Sequence, residues 1–343
     1  MRYRLLGTSG LRVAQMFLGA MTFGVHGGDG VPVEECARML DTYADAGGNV
    51  IDTAVNYQGG ASEEVLGQLL AGRRDRFVLA TKYTITRDGA DPNAAGNHRK
   101  NLRHSLETSL RRLRTDYIDL YWVHIWDPRT PIEETMRALD DQVRAGKLLY
   151  VGISNAPAWV VARANTLAEL RGWSPFIGLQ LPYNLLNRDI ERELLPMAAR
   201  LGLSVAAWGP LAGGILSGKF TSGAPPAGPT RVDPEAIGDR EHAVATLLTE
   251  IAAELDASPA QIALAWIMTR SPTLHPIIGA RRLDQLADNL GALQVTLPDA
   301  MRDRLDQTTA IDLGFPTGFL ADTASWVYGD TGGLVDGRAH SGP

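Results

Sequence analysis

Four side chains of complementary chemistry stand at or just past the ends of three successive apolar runs. Asp52, Lys82 and His124 each close such a run, and Tyr57 follows Asp52 by five residues. A phenol with a pKa near 10 is a weak acid, but a neighbouring ammonium stabilises its phenolate, and a carboxylate keeps that ammonium charged. An imidazole can donate a hydrogen bond that orients a carbonyl group. The set therefore suits proton transfer to a carbonyl oxygen.

The elements that must position these side chains alternate regularly. Short β-like runs and longer helical patterns succeed one another from about residue 17 to 292, which is typical of βαβ units on a parallel sheet. The predicted strands are 16–21, 49–54, 76–82, 117–125, 148–155, 176–183, 203–208 and 275–280, and the predicted helices are 33–46, 63–71, 97–113, 132–145, 157–171, 189–201, 240–256 and 283–292. Eight strands, each followed by a helix, predict a (β/α)8 TIM barrel, because doubly wound sheets usually have about six strands.

In such a barrel the carboxyl ends of the strands converge on one site. If the strand ends are level, three residues on successive strands fall within roughly 10 Å of one another, because neighbouring strands lie about 4.8 Å apart. Asp52, Lys82 and His124 are therefore expected in one site. Each residue alone also has an ordinary structural explanation, such as a helix-capping Asp. A hydrolase or isomerase barrel would instead present paired carboxylates or metal ligands at these strand ends.

Three segments lie outside the barrel pattern of the single predicted domain, 1–343. A hairpin is predicted over 3–15 and is expected to close the bottom of the barrel. A Gly- and Pro-rich loop over 209–239 and a tail from 299 onward are expected at the top, where barrel active sites are built. We expect this loop and tail, together with loop 22–31, to determine substrate specificity.

Composition excludes several classes of protein. The 343 residues are 45% apolar and 21% charged, with 33 basic and 39 acidic residues and a net charge of −6, so neither a disordered chain nor a nucleic-acid-binding surface is expected. No apolar stretch is long enough for a membrane span. The start of the chain lacks the apolar core of a signal peptide, and Cys36 is the only cysteine, so a cytoplasmic location is expected. The histidines show no ligand spacing, and no metal is expected. An oligomer is possible.

Several segments, in the same order along the chain, resemble the aldo-keto reductase family. They are VIDTAVNYQGGASEEVLG (50–67), VLATK (78–82), YIDLYWVHIWD (117–127), LLYVGISN (148–155), LQLPYNLLNR (179–188), WGPLAGGILSGK (208–219) and IIGARRLDQLADNLGAL (277–293). The chain also looks like the subgroup that contains the beta subunits of voltage-gated potassium channels. The resemblance implies a (β/α)8 reductase that transfers a hydride from NADPH to an aldehyde or ketone. It further implies a catalytic tetrad of Asp52, Tyr57, Lys82 and His124, with Tyr57 as the general acid.

The same resemblance implies where NADPH or NADP+ binds. The nicotinamide carboxamide would meet Ser154, Asn155 and Gln180, whose polar groups match an amide. The nicotinamide ring would stack on Trp208, where the family typically has Tyr followed by Ser; here Gly209 follows, so that Ser hydroxyl is absent. Further cofactor contacts are predicted at Gly19, Met21, Asp52, Gly209, Leu211, Gly213, Gly218, Lys219, Gly279, Arg281, Gln285, Asp288 and Asn289. The guanidinium of Arg281 can form two hydrogen bonds to a 2′-phosphate, which predicts a preference for NADPH.

Gly213 to Lys219 also fits G-x-x-x-x-G-K, but Phe220 stands where a Walker loop needs Ser or Thr, so we favour a loop over the cofactor pyrophosphate. The absence of GxGxxG after the first strand argues against a Rossmann domain.

The substrate pocket is predicted from aromatic residues near the barrel opening and from the catalytic pair. Its members are Phe23, Tyr57, Tyr83, His124 and Trp126, with the tail aromatics Phe315, Phe319, Trp326 and Tyr328 as further candidates for an apolar wall. Trp122 is instead expected to pack inside the barrel. The alternative to a carbonyl reductase is a cofactor-sensing regulatory subunit with slow reductase activity, like the channel beta subunits.

Overall fold

A closed barrel of eight parallel strands organises the chain, as predicted. The computed structural model describes residues 1–26, 30–221 and 230–334. The barrel strands are β3 (Phe17–Gly19), β4 (Val50–Asp52), β5 (Val78–Tyr83), β6 (Ile118–Val123), β7 (Leu148–Ser154), β8 (Phe176–Pro182), β9 (Ser204–Trp208) and β10 (Leu274–Ile278). They neighbour one another in chain order, and β10 closes against β3. Parts of the predicted loops and tail, namely 27–29, 222–229 and 335–343, lie outside the described residues.

Helices surround the barrel. They are α1 (Val33–Asp45), α2 (Ala61–Leu69), α3 (Arg99–Leu113), α4 (Ile132–Arg144), α5 (Ala158–Arg171), α6 (Leu194–Leu201), α7 (Asp239–Glu254), α8 (Pro259–Arg270) and α9 (Leu283–Gly291), followed by α10 (Asp299–Thr308), α11 (Thr317–Asp322) and α12 (Ala324–Tyr328) in the tail. Among the described residues, no helix is long and apolar enough to cross a membrane.

Two predicted helices differ from the observed ones. The pattern over 189–201 becomes a 3-10 turn, Asp189–Glu191, followed by α6, because Pro196 cannot lie within a helix that continues through residue 192. Between the last two strands the sequence predicted a single helix, whereas α7 and α8 are both present. Ser258 and Gln261 form a capping box at the start of α8, a local signal that the prediction missed.

The N-terminal hairpin closes one end of the barrel. Strands β1 (Tyr3–Leu5) and β2 (Arg12–Ala14) pair antiparallel. Leu6 and Val13 from this hairpin are buried and join the apolar cluster inside the barrel, together with residues near the strand starts such as Val50 and Val78. A second and larger apolar cluster fills the layer between the barrel and the helices. The functional side chains therefore lie at the end of the barrel away from the hairpin.

Candidate active site

Strand register brings Asp52, Lys82 and His124 to one place, but not at equal heights. Asp52 pairs with Ala80 on the next strand, and Lys82 pairs with Trp122 on the one after. Lys82 thus lies two positions beyond the register partner of Asp52, and His124 lies two positions beyond the register partner of Lys82. The strand ends are staggered, contrary to the expectation of level ends, because strands of such a barrel tilt by about 36° from its axis.

Trp122 is the register partner of Lys82 on the neighbouring strand β6. Trp122 is buried and belongs to the apolar cluster inside the barrel, as predicted. Its indole lies over the neighbouring strand β7, where a Cβ added to its register partner Gly152 would stand 2.3 Å from the ring. No residue other than glycine fits there without moving the indole. Trp122 therefore packs across the neighbouring strand inside the barrel.

A buried ammonium is the centre of the site. Lys82 is completely buried, and its Nζ donates to a carboxylate oxygen of Asp52, to the Thr53 carbonyl oxygen at 2.7 Å and to the Tyr57 hydroxyl at 3.2 Å. Gln180 Nε2 donates to the other Asp52 oxygen at 2.8 Å. Burial alone would lower the pKa of Lys82, but Asp52 and Tyr57 outweigh it and raise that pKa. Lys82 therefore stays cationic, and it donates directly to the phenol oxygen.

Tyr57 begins a tight turn in which the next three residues have positive φ, a conformation that favours glycine. The 3-10 turn Tyr57–Gly60 follows β4, and Gln58, Gly59 and Gly60 all have positive φ, of 50°, 62° and 106°. Glycine reaches such values without a steric penalty, whereas Gln58 carries strain. The chain therefore reverses direction directly after Tyr57. In this position the Tyr57 hydroxyl accepts the hydrogen bond from Lys82.

Arg112 of α3 supports this turn from outside the barrel. Its guanidinium donates to the Val55 carbonyl oxygen at 2.8 Å and pairs with the buried carboxylate of Glu63 at 3.4 Å. A Cβ added to Gly60 would stand 2.3 Å from the guanidinium carbon. Sequence reasoning did not single out Arg112 or Glu63, because nothing local indicates that α3 reaches the turn.

His124 lies beside the phenol as a neutral ring. The rings of Tyr57 and His124 are 5.8 Å apart between centroids and nearly perpendicular. Burial, and to a lesser degree the charge of Lys82, lowers the pKa of His124 to about 3. Its Nδ1 has no hydrogen-bond partner among the described residues. At neutral pH this imidazole can orient an oxygen through a hydrogen bond but carries no charge.

The low pKa of His124 predicts how stability depends on pH. An unfolded histidine has a pKa of about 6.5, so below that pH the unfolded chain binds a proton that the folded chain does not, and stability falls as the pH falls. Between pH 6.5 and 5 this amounts to at most about 2 kcal/mol. We expect urea unfolding at pH 7 and pH 5 to show a smaller loss in His124→Gln than in the unchanged protein. An imidazole of His124 that titrates above pH 5 by NMR would contradict this expectation.

A chain of polar groups extends from His124 across the barrel mouth. Asn155 Nδ2 donates to the His124 carbonyl oxygen and to Ser154 Oγ, both at 2.9 Å, and Ser154 Oγ donates to the Gln180 carbonyl oxygen at 2.6 Å. The Trp208 indole donates to Asn155 Oδ1 at 3.2 Å and leaves its ring 42% exposed. The structure thus brings these four predicted cofactor residues together, and an exposed indole face beside amide groups fits a planar ring with a carboxamide.

Three cationic residues, Lys219, Arg231 and Arg281, interact electrostatically near the loop after β9. Burial, and then the charges of Arg281 and Arg231, lower the pKa of Lys219. The loop contains the 3-10 turn Ala212–Ser217, with positive φ at Gly213 and Gly214, and a Cβ added to Gly214 would stand 2.6 Å from Lys219 Nζ. Sequence reasoning missed Arg231. The three cations fit a phosphate-bearing ligand, which agrees with the predicted pyrophosphate position.

The remaining predicted cofactor residues have varied surroundings. The Asp288 carboxylate accepts hydrogen bonds from Ser258 at 2.9 Å and from Gln261 at 2.8 Å, so it already holds the start of α8. Gln285 accepts from the backbone N–H of Arg281 at 3.0 Å. Their roles, and those of Gly19, Met21, Gly209, Leu211, Gly218, Gly279 and Asn289, stay predictions.

Two residues predicted for the substrate pocket do not line the opening. Tyr83 is completely buried among the helices, where it stacks on Tyr121 at 5.4 Å. It follows Lys82 directly, and successive side chains of a strand point to opposite faces, so Tyr83 faces away from the barrel interior. Phe23 is also completely buried in the outer apolar cluster. Both predictions were wrong.

Other aromatic residues lie closer to the surface. Trp126 packs edge to face with Trp159, with ring centroids 5.6 Å apart. In the tail, Phe319 contacts Phe315 and Trp326, and all three side chains are exposed. The place of these tail aromatics in a substrate wall stays a prediction. Sequence reasoning missed Trp159, although it follows Asn155 by only four residues.

Comparison with known proteins agrees with this geometry. The model of the "Aldo/keto reductase family" matches residues 15–310. The chain is 41% identical to "Norsolorinic acid reductase stcV" of Emericella nidulans, over 93% of this chain and 84% of that protein. It is 36% identical to "Putative aryl-alcohol dehydrogenase AAD14" of Saccharomyces cerevisiae, over 94% and 90%. It is 35% identical to "Aryl-alcohol dehydrogenase [NADP(+)]" of Phanerodontia chrysosporium, over 92% and 88%.

These matches decide the family while leaving the resemblance to channel beta subunits a prediction. The family model covers most of the chain, and the relatives are matched over most of their own length. The eight-stranded barrel is the fold that the resemblance implied. The chain belongs to the aldo/keto reductase family and is an NADP-dependent oxidoreductase.

Proposed function

We propose that this protein reduces aryl aldehydes or ketones to alcohols with NADPH, and that Tyr57 supplies the proton. The observation that carries the proposal is the buried Lys82 ammonium, which donates at once to Asp52 and to the Tyr57 hydroxyl. The aryl group is inferred from relatives named as aryl-alcohol dehydrogenases and norsolorinic acid reductases.

The cofactor would lie across the barrel mouth between the amide groups and the cations. Ser154, Asn155 and Gln180 offer hydrogen bonds to a carboxamide, and Trp208 offers the face of its indole to the nicotinamide ring. At the other end, Lys219 and Arg281 would neutralise phosphate groups, including a 2′-phosphate.

The chain's own residues handle the proton. When bound, NADPH would provide the hydride that the carbonyl carbon accepts. As negative charge develops on the carbonyl oxygen, the Tyr57 hydroxyl donates its proton there, and the O–H bond of the alcohol forms. Lys82 stabilises the phenolate that remains until solvent protonates it again, and Asp52 balances the charge of Lys82. His124, neutral at working pH, donates a hydrogen bond that orients the same oxygen. Alcohol oxidation follows the same steps in reverse, with Tyr57 as the base.

A panel of carbonyl compounds tests this proposal. Benzaldehyde, 2-naphthaldehyde, acetophenone and short aliphatic aldehydes are offered with NADPH, with NADH in parallel, and loss of reduced-cofactor absorbance is followed. We expect the aryl compounds to give the higher kcat/KM. We expect a KM for NADPH about 10- to 100-fold below that for NADH, because a charge-assisted hydrogen bond is worth about 1.5–3 kcal/mol.

Two outcomes would contradict the proposal. No oxidation of NADPH with any carbonyl would exclude reduction of these compounds. Tightly held cofactor with very slow turnover throughout would instead favour the cofactor-sensing regulatory alternative.

A further inference from the structure

An apolar cleft opens at the loop that begins with His124. It lies between the loop that follows β6 and the first turns of α4 and α5, and its volume is about 280 Å³, close to the lower end of the range for small-molecule sites. Its apolar lining is supplied by Trp126, Pro128, Pro131, Ile132, Trp159 and Val160.

The two tryptophans give the cleft its shape. Their rings are nearly perpendicular at 5.6 Å between centroids, and 60% of the Trp159 surface is exposed. A large indole that remains exposed gives up most of the free energy that its burial would yield. Its edge-to-face contact with Trp126 nevertheless holds it at the rim of the cleft. Such an arrangement suits a second flat apolar group that covers the exposed indole.

Asn155 links the cleft to the reaction centre. The backbone N–H of Trp126 donates to the Asn155 carbonyl oxygen at 3.4 Å. The Asn155 side chain holds the His124 carbonyl oxygen at 2.9 Å and accepts from the Trp208 indole at 3.2 Å. One residue therefore contacts the cleft wall, the segment of the orienting histidine and the exposed indole at the barrel mouth. Trp126 follows the orienting histidine by only two residues, so the cleft begins on the same segment as His124.

The two charged residues that line the cleft favour an uncharged ligand. Glu133 and Arg163 both line it and form an ion pair with each other. Because their charges cancel, the pair holds neither an anion nor a cation strongly. The remaining lining is apolar and aromatic apart from Thr130, whose hydroxyl already donates to Asp127, so flat uncharged rings fit better than a polar chain.

We propose that this cleft is a subsite for the distal rings of a multi-ring aryl carbonyl substrate, with Trp159 as a specificity-determining residue. The proposal rests on the proposed reduction of aryl carbonyls. It adds that fused-ring substrates bind better than single-ring ones, and it assigns that difference to Trp159 and Trp126.

Steady-state kinetics of Trp159→Ala test the assignment. We expect KM for 2-naphthaldehyde to rise about tenfold with kcat little changed, because a lost aromatic contact removes binding that is equal in the ground and transition states. KM for a short aliphatic aldehyde should stay the same, and Trp159→Phe should restore most of the loss. Leu170→Ala is the matched control, since Leu170 is 76% exposed on the same helix and does not line the cleft.

A binding measurement separates this proposal from the proposed function. With NADP+ present no reduction can occur, and the indole N–H signals of Trp126 and Trp159 should shift on addition of 2-naphthaldehyde but not of a short aliphatic aldehyde. Such a shift would support the subsite even if the protein reduces none of the carbonyls offered. Equal KM changes for fused-ring and aliphatic aldehydes in Trp159→Ala, or no shift of either indole signal, would overturn the subsite and leave the reductase proposal intact.

Discussion

Tyr57→Phe should lower kcat for carbonyl reduction by about 10²- to 10⁴-fold, which is the contribution of a positioned general acid. The substitution removes the hydroxyl that lies 3.2 Å from Lys82 Nζ but keeps the ring beside His124. NADPH should bind almost as before, because the groups expected to hold it are on other residues. Stopped-flow turnover together with NADPH fluorescence titration measures the two effects separately.

The matched control is Tyr83→Phe. Tyr83 is adjacent to Lys82 in sequence but faces the helices, and its hydroxyl donates to the Asn97 carbonyl oxygen at 3.3 Å. This variant should keep nearly full turnover. Substantial carbonyl reduction by Tyr57→Phe would exclude Tyr57 as the proton donor, and a comparable loss in Tyr83→Phe would show that the effect is not specific to the site.

Lys82→Met should be the more damaging change, because it affects both folding and chemistry. It leaves the buried Asp52 carboxylate with Gln180 but without its cation, and breaking a buried ion pair in this way costs about 3–5 kcal/mol. Turnover should fall at least about 100-fold, because no cation then stabilises the Tyr57 phenolate. Urea unfolding and carbonyl reduction are measured on the same preparation.

A double variant separates the two effects of the lysine. Lys82→Met with Asp52→Asn removes both charges, so we expect it to regain much of the lost stability while reduction stays as low as in the single variant. Recovery of activity in the double variant would mean that Lys82 matters only for folding. Equal stability of Lys82→Met and the unchanged protein would contradict the assignment of a buried pair.

The barrel could be predicted from the sequence because its strands are short apolar runs separated by clear helical patterns. Helix α8 escaped because it is buried on several sides: Ala260, Ile262, Leu264 and Trp266 are among its buried residues. A helix without a continuous polar stripe shows little of the periodicity on which such a prediction depends.

The sequence predicts which residues form the site more readily than it predicts how they are arranged. Asp52, Tyr57, Lys82 and His124 follow from strand ends and chemistry, whereas the two-residue stagger between strands depends on barrel tilt, which no local pattern encodes. The outward orientation of Tyr83 could have been predicted, since strand alternation places it opposite Lys82. The hydrogen bond from Arg112 to the Val55 carbonyl oxygen joins residues 57 positions apart in sequence, so only the folded structure reveals it.

The hairpin at the bottom of the barrel affects when water is excluded from the site. Leu6 and Val13 fill that end and belong to the same apolar cluster as Trp122, while Lys82 is completely buried and Tyr57 is partly exposed, so water that reaches the site contacts it at Tyr57. A cofactor and a substrate that together cover the mouth would therefore remove most of that water at the moment of binding. The interaction between Lys82 and the oxygen of Tyr57 would then strengthen as the local dielectric constant falls. Ligand binding would in this way set the strength of the electrostatic interaction between Lys82 and Tyr57.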